Sequence, residues 1–288
     1  MPSIFQDLKQ LLPKSIKTIL RRVYQRGRHT QGNFRPYLKK KNVEGEVFDF
    51  WIGDSTGRDW YDLSCTDPVW IELRFIKHHL IREGDIVLEC GGHHGCTTIL
   101  LSKWVGGTGR VIAFEPSPTN CEILAKNIKQ NALSNVMLER KAVGAAMGSI
   151  TIGDTSNASV SSSGVGVRVE MTCLDQYEHL HPTCLKIDVE GFEVDVVKGA
   201  KKILSSHPKM AIEIHPDQLS CYGTSVDDLF RAMDLEYYTV WIQWEDELEP
   251  ERYDMATPIT KRVQLFFIPS GKLSTEALLG LERKGWQL

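Results

Sequence analysis

The chain has no Cys-x-x-Cys pair, and its seven cysteines are an odd number, which does not look like the paired disulfide framework of small secreted domains. It has no uninterrupted apolar stretch near the roughly 20 residues that a membrane-spanning helix requires. Nothing resembling a secretory signal opens it, so a reducing, cytoplasmic setting is the expectation. Net charge is also scarce: a formal -3 gives the molecule as a whole no electrostatic claim on nucleic acid. What is present is a globular composition, 42% hydrophobic and 25% charged over 288 residues, enough to bury a substantial core.

The charge that exists is unevenly placed. Residues 1–41 hold eleven Lys/Arg against one acid, Asp7, a segment of about +10 that leaves about -13 for the rest. Within it Ile4, Phe5, Leu8, Leu11, Leu12, Ile16, Ile19, Leu20 and Val23 recur at helical spacing, with lysines and arginines between them. This pattern predicts a basic amphipathic helix, kinked or restarted at Pro13. Docking of its apolar stripe on the body is the favoured reading, and peripheral contact of residues 4–23 with an anionic inner-membrane surface is the alternative. "RGRHTQGNFRPYLKKKNVEGE" (26–46) reads as a polar linker. The expected organisation is an arm and linker over 1–41, a lid or pre-domain segment over 42–68, and one domain over 69–288.

In that last region short apolar runs alternate with helical ones. "DIVLEC", "RVIAFE", "NVMLERKAV", "TCLKIDV", "KMAIEIH", "YYTVWIQ" and "RVQLFFIP" read as strands, and "TTILLSKWV", "TNCEILAKNIKQNA", "EVDVVKGAKKILSS" and "VDDLFRAMD" as helices. The fold class is therefore α/β, a doubly wound, mostly parallel sheet of seven strands covered on both faces. Residues 144–174 interrupt it as an inserted hairpin or edge pair.

"VLECGGHHGCTT" (87–98) joins the first strand to a helix, where doubly wound sheets bind their ligands. Its spacing, Glu89-x-Gly91-x-x-x-Gly95, fits neither a dinucleotide turn nor a phosphate loop. A cofactor without phosphate to cradle fits better: S-adenosylmethionine, whose ammonium an acid at the strand end can hold while glycines admit close backbone approach. Glu115 closes the next strand and is placed to accept hydrogen bonds from both ribose hydroxyls, as the corresponding acid does in dinucleotide folds.

These strings, with "VIAFEPSPTNCEILAKNI", "RKAVG" and above all "LKIDVEGFEVDVVKGA" followed by "AIEIH", resemble the FkbM-type methyltransferases of the class I, Rossmann-like, S-adenosylmethionine-dependent group, over roughly residues 65–270. The resemblance implies cofactor contacts from Glu89, Gly91, Gly92, His93, Gly95 and Glu115, with Ala142 and Val143 near the adenine and Asp188 near the reacting methyl. Glu89, Gly92 and His93 replace the Asp, Ala and Asn common in the family's first motif. "IGDSTGRDWYD" (52–62) resembles a segment that precedes the domain in relatives.

The implied reaction is O-methylation of a small molecule or glycan, often a sugar. A hydroxyl needs a base or a metal to take its proton, and His215 is favoured over Asp188 as catalytic base because histidine titrates near neutral pH. A histidine that merely caps a strand end before Pro216 is the plainer reading of the same residue. A divalent metal on Asp188 and Glu213, which end neighbouring strands, is a minority reading. Adjacent His93 and His94 have no partner at zinc-ligand spacing and read as cofactor-loop lining. The partner expected is a small acceptor and no nucleic acid. A methyltransferase of protein or nucleic acid, and an inactive cofactor-binding scaffold, are the competing classes.

Overall fold

The computed structural model describes residues 34–63, 68–153, 156, 159–161, 164–245, 247 and 249–271. The amphipathic helix expected at residues 4–23 lies outside them. The chain divides after Arg35, and the fold below belongs to the unit from Pro36 onwards.

That unit opens with a hairpin, β1 (Tyr37–Val43) and β2 (Glu46–Ile52), then α1 (Ser55–Arg58), a π-type turn over Asp59–Leu63 and α2 (Pro68–Phe75). The main sheet follows as β3 (Ile86–Cys90), α3 (Cys96–Val105), β4 (Arg110–Phe114), α4 (Pro118–Gln130) and β5 (Val136–Glu139). A small sheet interrupts it: β6 (Ala142–Val143), β7 (Gly148–Ile152) and β8 (Val167–Thr172). The chain returns as β9 (Cys184–Ile187), α5 (Glu193–Lys198), α6 (Lys201–Leu204), β10 (Lys209–Ile214), α7 (Pro216–Cys221), α8 (Val226–Arg231), β11 (Tyr238–Trp244), β12 (Glu251–Arg252) and β13 (Val263–Pro269).

The main sheet has the order β12-β11-β13-β10-β9-β3-β4-β5. Seven of these eight strands are the apolar runs read from the sequence. The eighth, two-residue β12, pairs on β11 and is too short to show a pattern. β5, β4, β3, β9 and β10 are joined in parallel, and β13 runs antiparallel between β10 and β11. β3 and β9 are buried along nearly their whole length, as expected for parallel strands covered on both faces. Strand order reverses at β3: the chain winds outward to β5 and then crosses back to β9. The carboxyl ends of β3 and β9 therefore diverge, and a crevice opens there.

The 144–174 insertion is β7 antiparallel to β8, with β6 joined to β8 in parallel. The linker expected at 26–46 is not irregular throughout, because from Tyr37 it is the first strand of the hairpin. Three consecutive lysines, Lys39, Lys40 and Lys41, hide its period-two pattern. Glu44 and Gly45, both at positive φ (49° and 84°), make the two-residue turn that fits the twist of a hairpin. β2 carries the clear alternation, with Phe48, Phe50 and Ile52 buried.

Asn127 of α4 and Asn131, which caps the end of that helix, tie this hairpin to the sheet. Asn127 accepts from Trp51 N at 2.6 Å and donates to Trp51 O at 3.2 Å, and Asn131 does the same with Asp49 at 3.1 and 2.7 Å. Four residues of helix rise ~6 Å and two residues of strand span roughly 6.6 Å, so the two amides match consecutive hydrogen-bonding positions on one strand edge. Among the described residues, no helix is long and apolar enough to cross a membrane.

Candidate active site

The crevice is an open cleft at the carboxyl ends of β3, β4 and β9. Its floor is the glycine turn after β3. Gly91 lies at φ +92°, and a Cβ there would stand 1.9 Å from the Asp188 carbonyl oxygen. Only glycine lets the first loop pass so close to the end of β9.

Among the residues expected to hold a cofactor, Gly91, Gly92, His93, Glu115, Ala142, Val143 and Asp188 line the cleft. Glu89 and Gly95 do not. The Glu89 carboxyl is wholly buried beneath the loop, where Thr98 donates to it at 2.6 Å. Burial raises it to about 7. Gly95 starts α3 at φ +91° with its α-carbon packed towards Leu124. Both residues shape the turn without facing the ligand space.

Glu115 sits beyond the end of β4, 4% exposed. Its Oε2 accepts from His93 N at 2.8 Å, and its Oε1 accepts from Ser117 N at 2.9 Å and Asn120 Nδ2 at 3.2 Å. Burial pushes this carboxyl up to about 7, against the three N–H donors that pull it down. The same Ser117 caps α4, whose first residue is Pro118, so one short string, "EPSP", both places the acid and starts the helix.

Of the two histidines expected to line the loop, His93 alone forms the opposite wall, with residues that the sequence reading left without a role, while His94 is buried behind it and does not line the cleft. His93 adopts φ 47° and stacks on His94 at 4.0 Å and on Trp60 at 5.2 Å between ring centroids. The Tyr61 hydroxyl lies 2.7 Å from His93 Nδ1, and His93 Nε2 lies 3.1 Å from Ser156 O. An imidazole protonated only at Nε2 satisfies both partners. Burial, then neighbouring His94, lowers His93 to about 3, so it is neutral. His94 is fully buried, 3.6 Å from Asp54, and Asp54 caps α1 through Gly57 N. Residues 54–62, upstream of the sheet, thus supply a wall of the cleft through Trp60 and Tyr61. No pattern in "GDSTGRDWYD" announces that contact, since it exists only once the hairpin is pinned to α4.

On the far side Asp188 accepts from Lys186 Nζ at 2.8 Å. Burial works to raise Asp188, but Lys186, His215 and a hydrogen bond from Glu213 hold it below the ordinary carboxylate range. Glu213 is raised to about 8, first by burial and then by Asp188. His215 faces acids on both ring nitrogens: Glu193 at 3.1 Å on Nδ1, and Glu190 at 3.5 Å and Glu213 at 3.6 Å on Nε2. Burial favours its neutral form, yet the Glu193 hydrogen bond and the fields of Glu213, Asp188 and Glu190 outweigh it and raise the group to about 9. These contacts favour the protonated imidazole and so weigh against His215 as the base, and the sequence "EIH" does not reveal the carboxylates that α5 and the β9 loop bring around it.

The cleft lining holds Glu115, Asp188 and Glu190 against two cations, Lys141 and Lys186. An acid-rich pocket repels a phosphate and suits a ligand with cationic centres. A crevice of this character, at the point where the strand order of a doubly wound α/β sheet reverses, places the chain among the Rossmann-like proteins of class I methyltransferase architecture. More narrowly, the chain belongs to the FkbM methyltransferase family: residues 89–238, more than half of it, match the family described as Methyltransferase FkbM domain. It is similar to the hexuronic acid methyltransferase AglP of Haloferax volcanii, 27% identical over 141 residues, which are 46% of this chain and 57% of that protein. The match thus spans little more than half of the relative's length. Solved structures of similar shape include a methyltransferase FkbM from Methylobacillus flagellatus, with a TM-score of 0.43, 18% identity, and coverage of 69% of this chain and 53% of that one. Another is the Aeropyrum pernix fibrillarin crystallised with S-adenosyl-L-methionine, at 0.46, 15%, 82% and 85%.

Proposed function

We propose that this protein transfers a methyl group from S-adenosylmethionine to a hydroxyl oxygen of a small-molecule or glycan acceptor, with a sugar as the acceptor class. The observation that carries the reading is the placement of Glu115: a buried carboxyl across the glycine turn from Asp188, in a cleft that three acids line against two lysines. That donor set fits S-adenosylmethionine, since Glu115 suits a ribose diol, Asp188 and Glu190 suit cationic groups, and no array of cations awaits a phosphate. Ala142 and Val143 offer apolar contact for a base. The family and its likeness to a hexuronic acid methyltransferase support a sugar hydroxyl over the alternatives, and the acid-rich lining disfavours a nucleic-acid backbone as partner.

The cofactor, when bound, supplies a methyl on a sulfonium, whose C–S bond breaks as the C–O bond to the acceptor forms. The protein's work is alignment and exclusion of water. In favourable cases orientation alone contributes up to ~7 to 11 kcal/mol of barrier lowering. Trp60 and His93 wall one side of the cleft and the end of β9 the other. Asp188, ionised and facing the cleft, is the residue to receive the hydroxyl proton.

Calorimetric titration of S-adenosylmethionine, in EDTA, into the wild-type protein and Glu115→Ala tests the reading. Micromolar affinity that collapses in the variant is expected. S-adenosylhomocysteine should then accumulate with uronic acids or neutral sugars as acceptors. No binding to the wild-type protein would sink the methyltransferase reading.

A further inference from the structure

Asp188 and His215 each offer a ligand atom on the same side as Glu213, and the three atoms lie within 4.8 Å of one another. Ligand atoms around an octahedral ion with bonds near 2.1 Å stand roughly 3 to 4.3 Å apart, so small side-chain rotations bring this set to coordination distance. Two further residues hold the set from behind. Buried Glu193 takes His215 Nδ1 at 3.1 Å, which turns Nε2 towards Glu213. Gln264 donates to Glu213 Oε2 at 2.8 Å. A carboxylate behind an imidazole and an amide on a ligating carboxylate are the supports that orient metal ligands. Glu193 is 0% exposed, and its Oε2 has no hydrogen-bond partner among the described residues.

Carboxylates also outnumber permanent cations here. Asp188, Glu190, Glu193 and Glu213 are four carboxylates in mutual reach through His215, while two permanent cations answer them: Lys186 on Asp188 at 2.8 Å and Arg262 on Glu213 at 3.0 Å.

We propose that Asp188, Glu213 and His215 bind a divalent cation beside the cleft. Two carboxylate oxygens and an imidazole nitrogen suit an ion of the Mn²⁺ or Mg²⁺ type, with Mn²⁺ the better match to the nitrogen. Its role rests on the methyltransferase reading: positions of the ion left open to the cleft would take the acceptor hydroxyl and lower its pKa, the proton then passing to water in place of Asp188, which the ion would occupy. The binding itself does not depend on that reading.

The test titrates Mn²⁺ into the EDTA-stripped full chain, without cofactor or acceptor, and follows the loss of the free-ion paramagnetic resonance signal. The expected result is one bound ion per chain at micromolar affinity, with ¹⁴N coupling from an imidazole in the electron spin-echo spectrum. Glu193→Gln, which leaves all three ligands in place, should weaken binding ~10- to 100-fold with an unchanged circular dichroism spectrum. No bound ion at millimolar Mn²⁺ would overturn the proposal. So would a bound ion without ¹⁴N coupling, or one that His215→Gln leaves undiminished. Cofactor titration in EDTA reads the methyltransferase proposal separately, so either can fail alone.

Discussion

Glu115 is the residue whose charge governs the site. Burial raises it to about 7, so near neutral pH it is half protonated, while the role proposed for it needs the ionised form to accept from two ribose hydroxyls. Affinity for S-adenosylmethionine should therefore rise with pH through about 7 and weaken about tenfold per unit well below it, as for any ligand that selects one protonation state. Glu115→Gln should bind more weakly, since its amide sets a donor against Ser117 N or Asn120 Nδ2, and should lose the slope. Calorimetry between about pH 5.5 and pH 8 checks both, and a flat wild-type profile would show that the carboxyl is ionised throughout. The spacing of Glu115 from the glycine turn made this acid legible in the sequence. Glu89 was equally visible but misplaced, because a sequence gives a strand's residues without saying which face the turn covers.

Among the elements, the parallel core and its helices were legible because burial on both faces writes apolar runs that polar turns interrupt. The hairpin was not, because its outer strand spends Lys39, Lys40 and Lys41 on solvent or polar contacts, and its partner edge is satisfied by a helix in place of another strand. That second feature makes a prediction. Asn127 is fully buried and serves Trp51 N, Trp51 O and His94 O at once. Asn127→Ala leaves these groups unpaired, and the cost of an unsatisfied buried partner is ~1 to 3 kcal/mol. The urea midpoint should fall while the slope of the transition stays constant. Because His94 O is one of the three groups and His93 precedes it, cofactor affinity should fall too. Asn131→Ala, which serves Asp49 and the helix alone, should cost less stability and leave cofactor affinity unchanged. The same dependence on tertiary contact hid Trp60 and Tyr61, whose ring contacts with the histidine pair need the hairpin in place.

For the molecule as a whole, concentrating acids at one end of the sheet sets how stability depends on pH. Glu89 and Glu115 are raised to about 7 and Glu213 to about 8, from an ordinary 4.5. His215 is raised to about 9 from 6.5. Each group binds its proton more tightly folded than unfolded, so each contributes stability that is present at low pH and lost as pH rises through its folded value. His93 and His94, both lowered, act oppositely, but only below about pH 6.5, where unfolded histidine charges. The opposing effects leave a shallow dependence below that point and a common direction above it. The melting temperature should therefore fall most steeply from about pH 6.5 to pH 8 and go on falling beyond about pH 9, where burial holds the protons on Cys90, Cys121 and Cys184 only in the folded chain, as differential scanning calorimetry in buffers of constant ionic strength would read. A constant or rising value would mean that the buried acids are ionised already and that some positive charge has been overlooked. The same repulsion makes a cationic ligand most valuable when the acids are charged. The thermal shift produced by a fixed concentration of S-adenosylmethionine should accordingly be larger at pH 8 than at pH 6, a gain that a neutral ligand without a ribose diol would not show.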